Sequence, residues 1–419
     1  MRVLIVGSGG MVGSALAGAL ERCGIEVGRA ARRGPADLQL DLQALPPQAE
    51  LAAQLRGWDL VVNACGLGPV YGEADHEAVH HLGACRLFDA CVAAGVRRVL
   101  QVSALGDAAT GSFIASKHAA DAYLLRLPLE ARIVRPSLIF SLRGESSRLL
   151  IALAQLPFAL LPGGGRGVVQ PVHLDDVVQL LVFLVRAPQA PSGVYELGGP
   201  HQLSMTDYIR VLGQRITGRA PRLAALPAPL ARVMAVGLQW LGSSLGGMQT
   251  QRVMQAGSTT ERDAFRAAFG RPPRPPQQFL TAQEAQRCRQ DFLHQLGMGL
   301  GRVVLASVCL LSAALPLLWP QAVQPFAHLQ AVGIVGEPAQ WAYYAMLFID
   351  ICAAGLALFA RSRLAWAALA FIVAGYTLGL GWLSPALWFD PFGPLLKNLP
   401  MLAWIAALAL WSRSKGEQA

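Results

Sequence analysis

The sequence predicts an α/β fold, a doubly wound parallel sheet with a small substrate lobe, followed by a bundle of four transmembrane helices. Three observations carry that prediction. The chain opens MRVLIVGSGGMVGSALAGALERCG, an apolar strand, a glycine turn and a helix in direct succession. Further strand-like runs, GIEVGRAA, LQLDL, WDLVVNACG and RRVLQVSALG, alternate with ordinary polar segments, as the strands of an α/β sheet do. Residues 300–412 are almost continuously apolar.

Of the 419 residues 53% are hydrophobic and only 15% charged, where a soluble globular chain carries about 25% charged. Mean hydropathy is +0.40, so part of the chain belongs in lipid. The length allows two or three domains. The expected boundaries are a nucleotide-binding domain with an interleaved lobe over 1–220, the lobe's remainder and a membrane-proximal linker over 221–299, a membrane domain over 300–412 and a tail over 413–419. The net charge of +9 comes without a long basic run or basic–aromatic interleaving, so no nucleic-acid partner is expected. Arg271, Arg274, Arg287 and Arg289 read instead as membrane-flanking charge. Seven cysteines without CxxC spacing point to a reducing compartment, with neither a disulfide frame nor a metal site. A strand at the start of the chain argues against a signal peptide.

Four segments meet the spanning criterion of roughly 20 residues: about 302–319, which contains Pro316, then 341–360, 364–383 and 395–411. Arg287, Arg289 and Arg302 precede the first, Arg361 and Arg363 fill the second loop, and Arg413 and Lys415 follow the fourth. The loop between the first two spans has no Lys or Arg. This asymmetry predicts a multi-pass protein of the inner or cytoplasmic membrane with both termini and the nucleotide domain in the cytoplasm. Asp350 lies midway along the second span and Lys397 near the start of the fourth, beside the turn DPFGP. The two form either a helix-packing ion pair or an intramembrane proton or ligand site.

In the first half, Gly7, Gly10 and Gly13 give GxxGxxG spacing within GSGGMVG. Glycines there allow a tight turn, a close approach of backbone amides to a pyrophosphate and close packing of helix on strand. Residues Gly7, Ser8, Gly9, Gly10, Met11, Val12 and Gly13 are therefore the expected cradle, with the phosphates on the helix N-terminus. The second strand ends in Arg32 and Arg33, which suit a ribose 2′-phosphate better than a free hydroxyl, hence NADP(H) over NAD(H). Solvated surface arginines are the alternative. Asp41 is placed for the adenine edge, and Ala64, Cys65 and Gly66 leave room for a cofactor at the fourth strand's end. Ser103 ends the fifth strand, where open α/β sheets place ligands.

Taken in order, GSGGMVG, NACG, VSALG, the segment ending at Lys117, RPSLIF, PVHLDDVV and ELGGP resemble the extended and atypical short-chain dehydrogenase/reductases, in particular the branch of complex I accessory-subunit-like proteins. The last half, above all DPFGPLLKNLPML, resembles the DoxX-like four-helix family. The resemblance implies a Rossmann-type domain, a cofactor site including Pro136, and a Ser, Tyr and Lys triad with Tyr and Lys spaced YxxxK. Ser103 and Lys117 stand at two of those positions, while Phe113 occupies the tyrosine's. In the family the phenol exchanges a proton with the substrate, and phenylalanine has none. Tyr123 is six residues beyond Lys117, about 600° around a helix and on the wrong face. Ser116 is poorly aimed, and His118 reads more readily as a surface residue.

Two further apolar stretches bear on the lobe. LLIALAQLPFALL, 149–161, is too short to span and reads as a buried or interfacial helix, and 230–245 reads as core packing. An apolar lobe tethered to a membrane suits a lipid-soluble substrate. Two functions follow. One is a membrane-anchored, NADPH-preferring oxidoreductase with a hydrophobic or quinone-like acceptor that takes its proton from solvent. The other is a non-catalytic NADPH-binding module that stabilises or regulates a membrane protein partner. An epimerase or dehydratase ranks below both, because it needs the tyrosine more.

Overall fold

Val3 to Val6 are all fully buried in β1 (Arg2–Val6), because the strand is covered on both faces. Leu4 and Val6 belong to one core cluster, Val3 and Ile5 to the other. In the computed structural model of the chain the described residues are 1–69, 71–227, 229–230, 252, 255–319, 326, 329–330, 333–360, 362–383, 385–389, 395–396 and 398–413. They form two compact units, Met1–Arg289 and Gln290–Ala419.

The first unit is built on a sheet of β1, β2 (Glu26–Ala31), β3 (Leu38–Gln39), β4 (Leu60–Asn63), β5 (Arg98–Val102), β6 (Glu130–Pro136) and β7 (Gly193–Leu197). All its pairs are parallel and the order is β7-β6-β5-β4-β1-β2-β3. Val6 pairs with both Ala30 and Asn63, so the carboxyl ends of β1, β2 and β4 are level. The strand order reverses between β1 and β4, which opens the ligand crevice of such sheets. Helices α1 (Met11–Arg22), α2 (Gln48–Leu55), α3 (residues 73–94), α4 (Ser112–Leu124), α5 (Glu145–Gln155), α6 (Leu174–Arg186) and α7 (Met205–Thr217) follow the chain. One sheet face packs against α2, α3 and α4, the other against α1 and α6.

The lobe is centred on α5 and α7, with Phe140, Tyr208 and Phe279 in its core. A parallel pair, Phe158–Pro162 with Arg222–Leu226, completes it. The apolar run 149–161 is therefore not one helix. It is helical to Gln155 and then extended from Phe158, because Pro157 removes a backbone donor and cannot continue the turn. Phe158 and Leu160 point outward, 53% and 42% exposed.

In the second unit, Glu337–Phe359 and Arg363–Leu383 are long and apolar enough to cross a membrane, as is Ala282–Leu318; Asn398–Leu410 is shorter. The segment expected to begin at 302 is the later part of a 37-residue helix that starts at Ala282, with Pro316 in its last turn. Cys309, Ala353, Ala354, Ala357, Trp366 and Leu369 share one packed core. Arg302 donates to the carbonyls of Leu358 at 3.0 Å and Ala360 at 2.7 Å. It also lies 5.1 Å over the Trp366 ring, so a single cation closes the end of the Glu337–Phe359 helix. The DPFGP turn, Lys397, Arg361, Lys415 and most of 230–245 lie outside the described residues.

Candidate cofactor and active site

The glycine turn between β1 and α1 is closed from within. Gly7 has φ +86°, and a Cβ on it would stand 2.8 Å from the Cys65 amide nitrogen. A Cβ on Gly13 would meet the Gly7 carbonyl at 2.2 Å, so only glycine lets α1 pack this tightly on the turn. The Ser8 hydroxyl donates to Ala30 O at 3.1 Å and its amide donates to the same oxygen, which pins the turn to β2. Gly9 and Gly10 are exposed, Met11 is half-buried and Val12 is buried in the core. The Gly7 and Ser8 amides donate to Ala30 O and the Gly10 amide to Gly7 O, which fixes the turn just ahead of the α1 N-terminus, the end of a helix that suits a pyrophosphate.

Arg32 and Arg33 follow Ala31 directly and are exposed, while Asp41 is half-buried. Ala64, Cys65 and Gly66 leave the end of β4 beside the glycine turn. Burial pushes the Cys65 thiol up to about 12, with Lys117 and Arg32 pulling it down and Asp41 pushing it up. The thiol is therefore protonated and no nucleophile. Lys117, Asp41 and Arg32 are thus near enough to Cys65 for its thiol to feel their charges. Pro136 ends β6 and pairs with Leu197. The predicted cofactor residues thus gather at the carboxyl ends of β1, β2, β4, β5 and β6.

Lys117 is 6% exposed on α4 and donates from Nζ to Val102 O at 3.2 Å. A Cβ on Gly66 would stand 3.3 Å from Nζ, so the missing side chain leaves the ammonium room. With one of three donors engaged in a described bond, Lys117 can serve ribose hydroxyls. A cradle filled by any Cβ and a lysine with donors to spare fit a dinucleotide.

The Ser103 hydroxyl donates to Asp121 Oδ2 at 2.7 Å and is thus engaged inside the protein. Asp121 also accepts from Arg135 Nε at 2.9 Å and is completely buried. Phe113 packs against two histidines of α3, His76 and His80, each with ring centroids 5.7 Å away. The two histidines stack on each other at 5.2 Å. Their elements explain the pairing, because the middle of α3, Glu77–Leu82, winds as a π-helix, a local widening found at functional sites.

His80 Nε2 accepts from the Leu67 amide at 2.8 Å, so the proton of the neutral ring is on Nδ1, 3.2 Å from Ser116 Oγ. Burial, helped by the Lys117 ammonium nearby, drives His80 down to about 2, so it stays neutral. His76 joins Gly68 O and Ser112 Oγ, each at 2.9 Å. His80 keeps its one proton toward Ser116, and Phe113 has none to give. His118 Nε2 meets Ala104 O at 3.0 Å. Tyr123 donates to Asp89 at 2.7 Å, which agrees with its expected place on the wrong face of the helix.

His76, His80, Asp121 and Arg135 were not singled out as site residues from sequence. Asp121 had a signal, its i,i+4 spacing from Lys117, whereas the π-turn that aims the histidines leaves none in the composition. Asp350 lies in the other unit, half-buried, with no described residue in hydrogen bond or ion pair with it. Among the described residues no group of three His, Cys, Asp or Glu could hold a metal.

Residues 3–198 match the NAD dependent epimerase/dehydratase family and residues 306–406 the DoxX-like family. An epimerase family protein of Mycobacterium bovis is 28% identical over 255 residues, 55% of this chain and 83% of that protein. The 40 kDa subunit of mitochondrial NADH-ubiquinone oxidoreductase from Neurospora crassa is 27% identical over 191 residues, 44% of this chain and half, 50%, of the subunit. Among solved structures, MoeE5 in complex with UDP-glucuronic acid and NAD superimposes with a TM-score of 0.52 at 20% identity, covering 70% of this chain and 99% of that one. The UDP-glucose 4-epimerase of Thermotoga maritima gives 0.52 at 13% identity, over 71% and 99%. At these identities the structural likeness concerns the fold.

Proposed function

The chain joins a domain of the NAD dependent epimerase/dehydratase family to a DoxX-like membrane domain, and from that premise we propose a membrane-anchored NAD(P)H-binding oxidoreductase, NADPH-preferring, that reduces a hydrophobic or quinone-like acceptor. The observation that carries this reading is Phe113, held against His76 and His80 where the relatives' chemistry would need an acid. When bound, the reduced nicotinamide supplies a hydride. The glycine turn would hold the pyrophosphate, Arg32 and Arg33 the ribose 2′-phosphate, and Lys117 the second ribose. Phe113 gives an apolar wall, and the acceptor draws its proton from water. A quinone tolerates this, whereas an epimerase or dehydratase cycle moves protons through the missing phenol.

The charge pattern of the loops supports a cytoplasmic or inner membrane with the nucleotide domain and both termini in the cytoplasm. Asp350 is then an intramembrane proton or ligand site. A second reading is favoured by the likeness to the 40 kDa subunit and by the engaged Ser103: a non-catalytic NADPH-binding module within a membrane assembly. The test uses full-length protein in detergent, with NADPH and panels of quinones and of ketones, following the absorbance of the reduced cofactor. Turnover with quinones alone supports the enzyme. Tight NADPH binding with no turnover across both panels supports the module instead.

A further inference from the structure

Lys117 and Asp121 stand one turn apart on α4 and together clasp the end of β5. Lys117 Nζ donates to Val102 O at 3.2 Å, and the next residue, Ser103, donates to Asp121 Oδ2 at 2.7 Å. Asp121 has no exposed surface, and Arg135 Nε donates to it at 2.9 Å. Its second oxygen, Oδ1, is buried without a hydrogen-bond partner. A buried carboxylate persists only where cations compensate it. Arg135 does so by contact from β6 and Lys117 through space from its own helix.

We propose that Asp121 is the positioning residue of the cofactor cleft, fixing the charge and place of Lys117 while keeping the Ser103 hydroxyl engaged. The proposal rests on the cofactor reading above. Phe113 already removes the proton donor, and Asp121 explains how the remaining lysine stays useful in a dry site. Burial alone pushes the Lys117 ammonium down, and Asp121, then Cys65, oppose it. The groups that face Lys117 are Asp121 on α4, Cys65 after β4 and His80 on α3; Arg135 faces Asp121 from β6. Without the carboxylate the largest influence opposing burial is lost, and Lys117 loses its proton at a lower pH. Binding that needs the charged lysine is then lost as pH rises.

The experiment titrates NADPH into full-length protein in detergent, read by its own fluorescence, from pH 6 to pH 10. Asp121→Asn is expected to bind within a few-fold of the parent at pH 6 and to lose its affinity at a lower pH than the parent does, because the carboxylate that favours the charged lysine is gone. Asp121→Glu is expected to restore the parent's profile. An Asp121→Asn profile parallel to the parent's overturns the proposal. If Asp121→Asn yields no folded protein, Arg135→Gln decides, because it releases the carboxylate toward Lys117. A half-loss of binding at higher pH than in the parent supports the proposal, and an equal or lower one overturns it. A parent protein that binds no NADPH at any pH overturns the cofactor reading, and this one with it.

Discussion

Phe113 packs against His80 with ring centroids 5.7 Å apart and planes inclined at 76°. A position that would carry a phenol is thus an aromatic contact, with a neutral imidazole behind it whose tautomer is fixed by the Leu67 amide. Such a pair adds about 0.5–1.5 kcal/mol beyond its buried area. It stabilises the wall of the cleft and offers no proton.

His80 gives the site a pH-dependent stability. Its folded pKa of about 2 is far below the usual 6.5, so below pH 6.5 the unfolded chain takes up a proton that the folded one refuses. Stability is complete above pH 6.5 and falls on acidification by up to about 1.4 kcal/mol per pH unit. His80→Gln is expected to lower the melting temperature at pH 7.5, with the gap to the parent closing toward pH 4.5. A gap that stays constant across thermal melts in this range counts against the assignment.

Glycine at position 13 is required and at position 18 is not. A Cβ on Gly13 collides with the Gly7 carbonyl at 2.2 Å, whereas on Gly18 it comes no nearer than 3.8 Å to the Arg22 side chain. Gly13→Ala should weaken NADPH binding at least about tenfold by displacing the turn from α1. Gly18→Ala should leave binding unchanged and stabilise α1 by about 0.5–1 kcal/mol. Isothermal titration of both variants checks the contrast.

Arg32 and Arg33 extend freely from the end of β2. Replacing both with alanine should cost NADPH affinity at least about tenfold, as loss of charge-assisted bonds to a phosphate does, and leave NADH affinity nearly unchanged. Parallel titrations with the two cofactors measure this, and equal losses would remove the 2′-phosphate assignment.

Much of this arrangement was legible in the sequence. The glycine spacing and the strand ends at Asn63 and Ser103 were read from local pattern, because a parallel sheet buried on both faces writes its strands as apolar runs, while the Lys117 helix came with the family resemblance. Two kinds of feature were not. Pro157 broke an apolar run into helix and strand, which hydrophobicity alone does not separate. The contacts of Phe113 with His76 and His80, and of Asp121 with Ser103 and Arg135, join residues distant along the chain through a π-turn and the crossing of α4 over β5. The missing phenol was visible; what had replaced it was not.

Asp350→Asn tests the membrane half. If the carboxylate serves the acceptor, the substitution should slow quinone reduction about tenfold or more while NADPH binding and the melting temperature hold. Unchanged turnover and stability would leave Asp350 without a functional role.

The proposed hydride transfer needs no protein acid. Its most direct measurement is the steady-state oxidation of NADPH, and of NADPH deuterated at the transferred position, by a short-chain ubiquinone analogue in H2O and in D2O. The expected result is a slower rate with deuterated NADPH and a rate at saturating acceptor that is nearly the same in both solvents. A solvent isotope effect of about two or more would place proton transfer in the rate-limiting step and contradict hydride transfer unassisted by an acid.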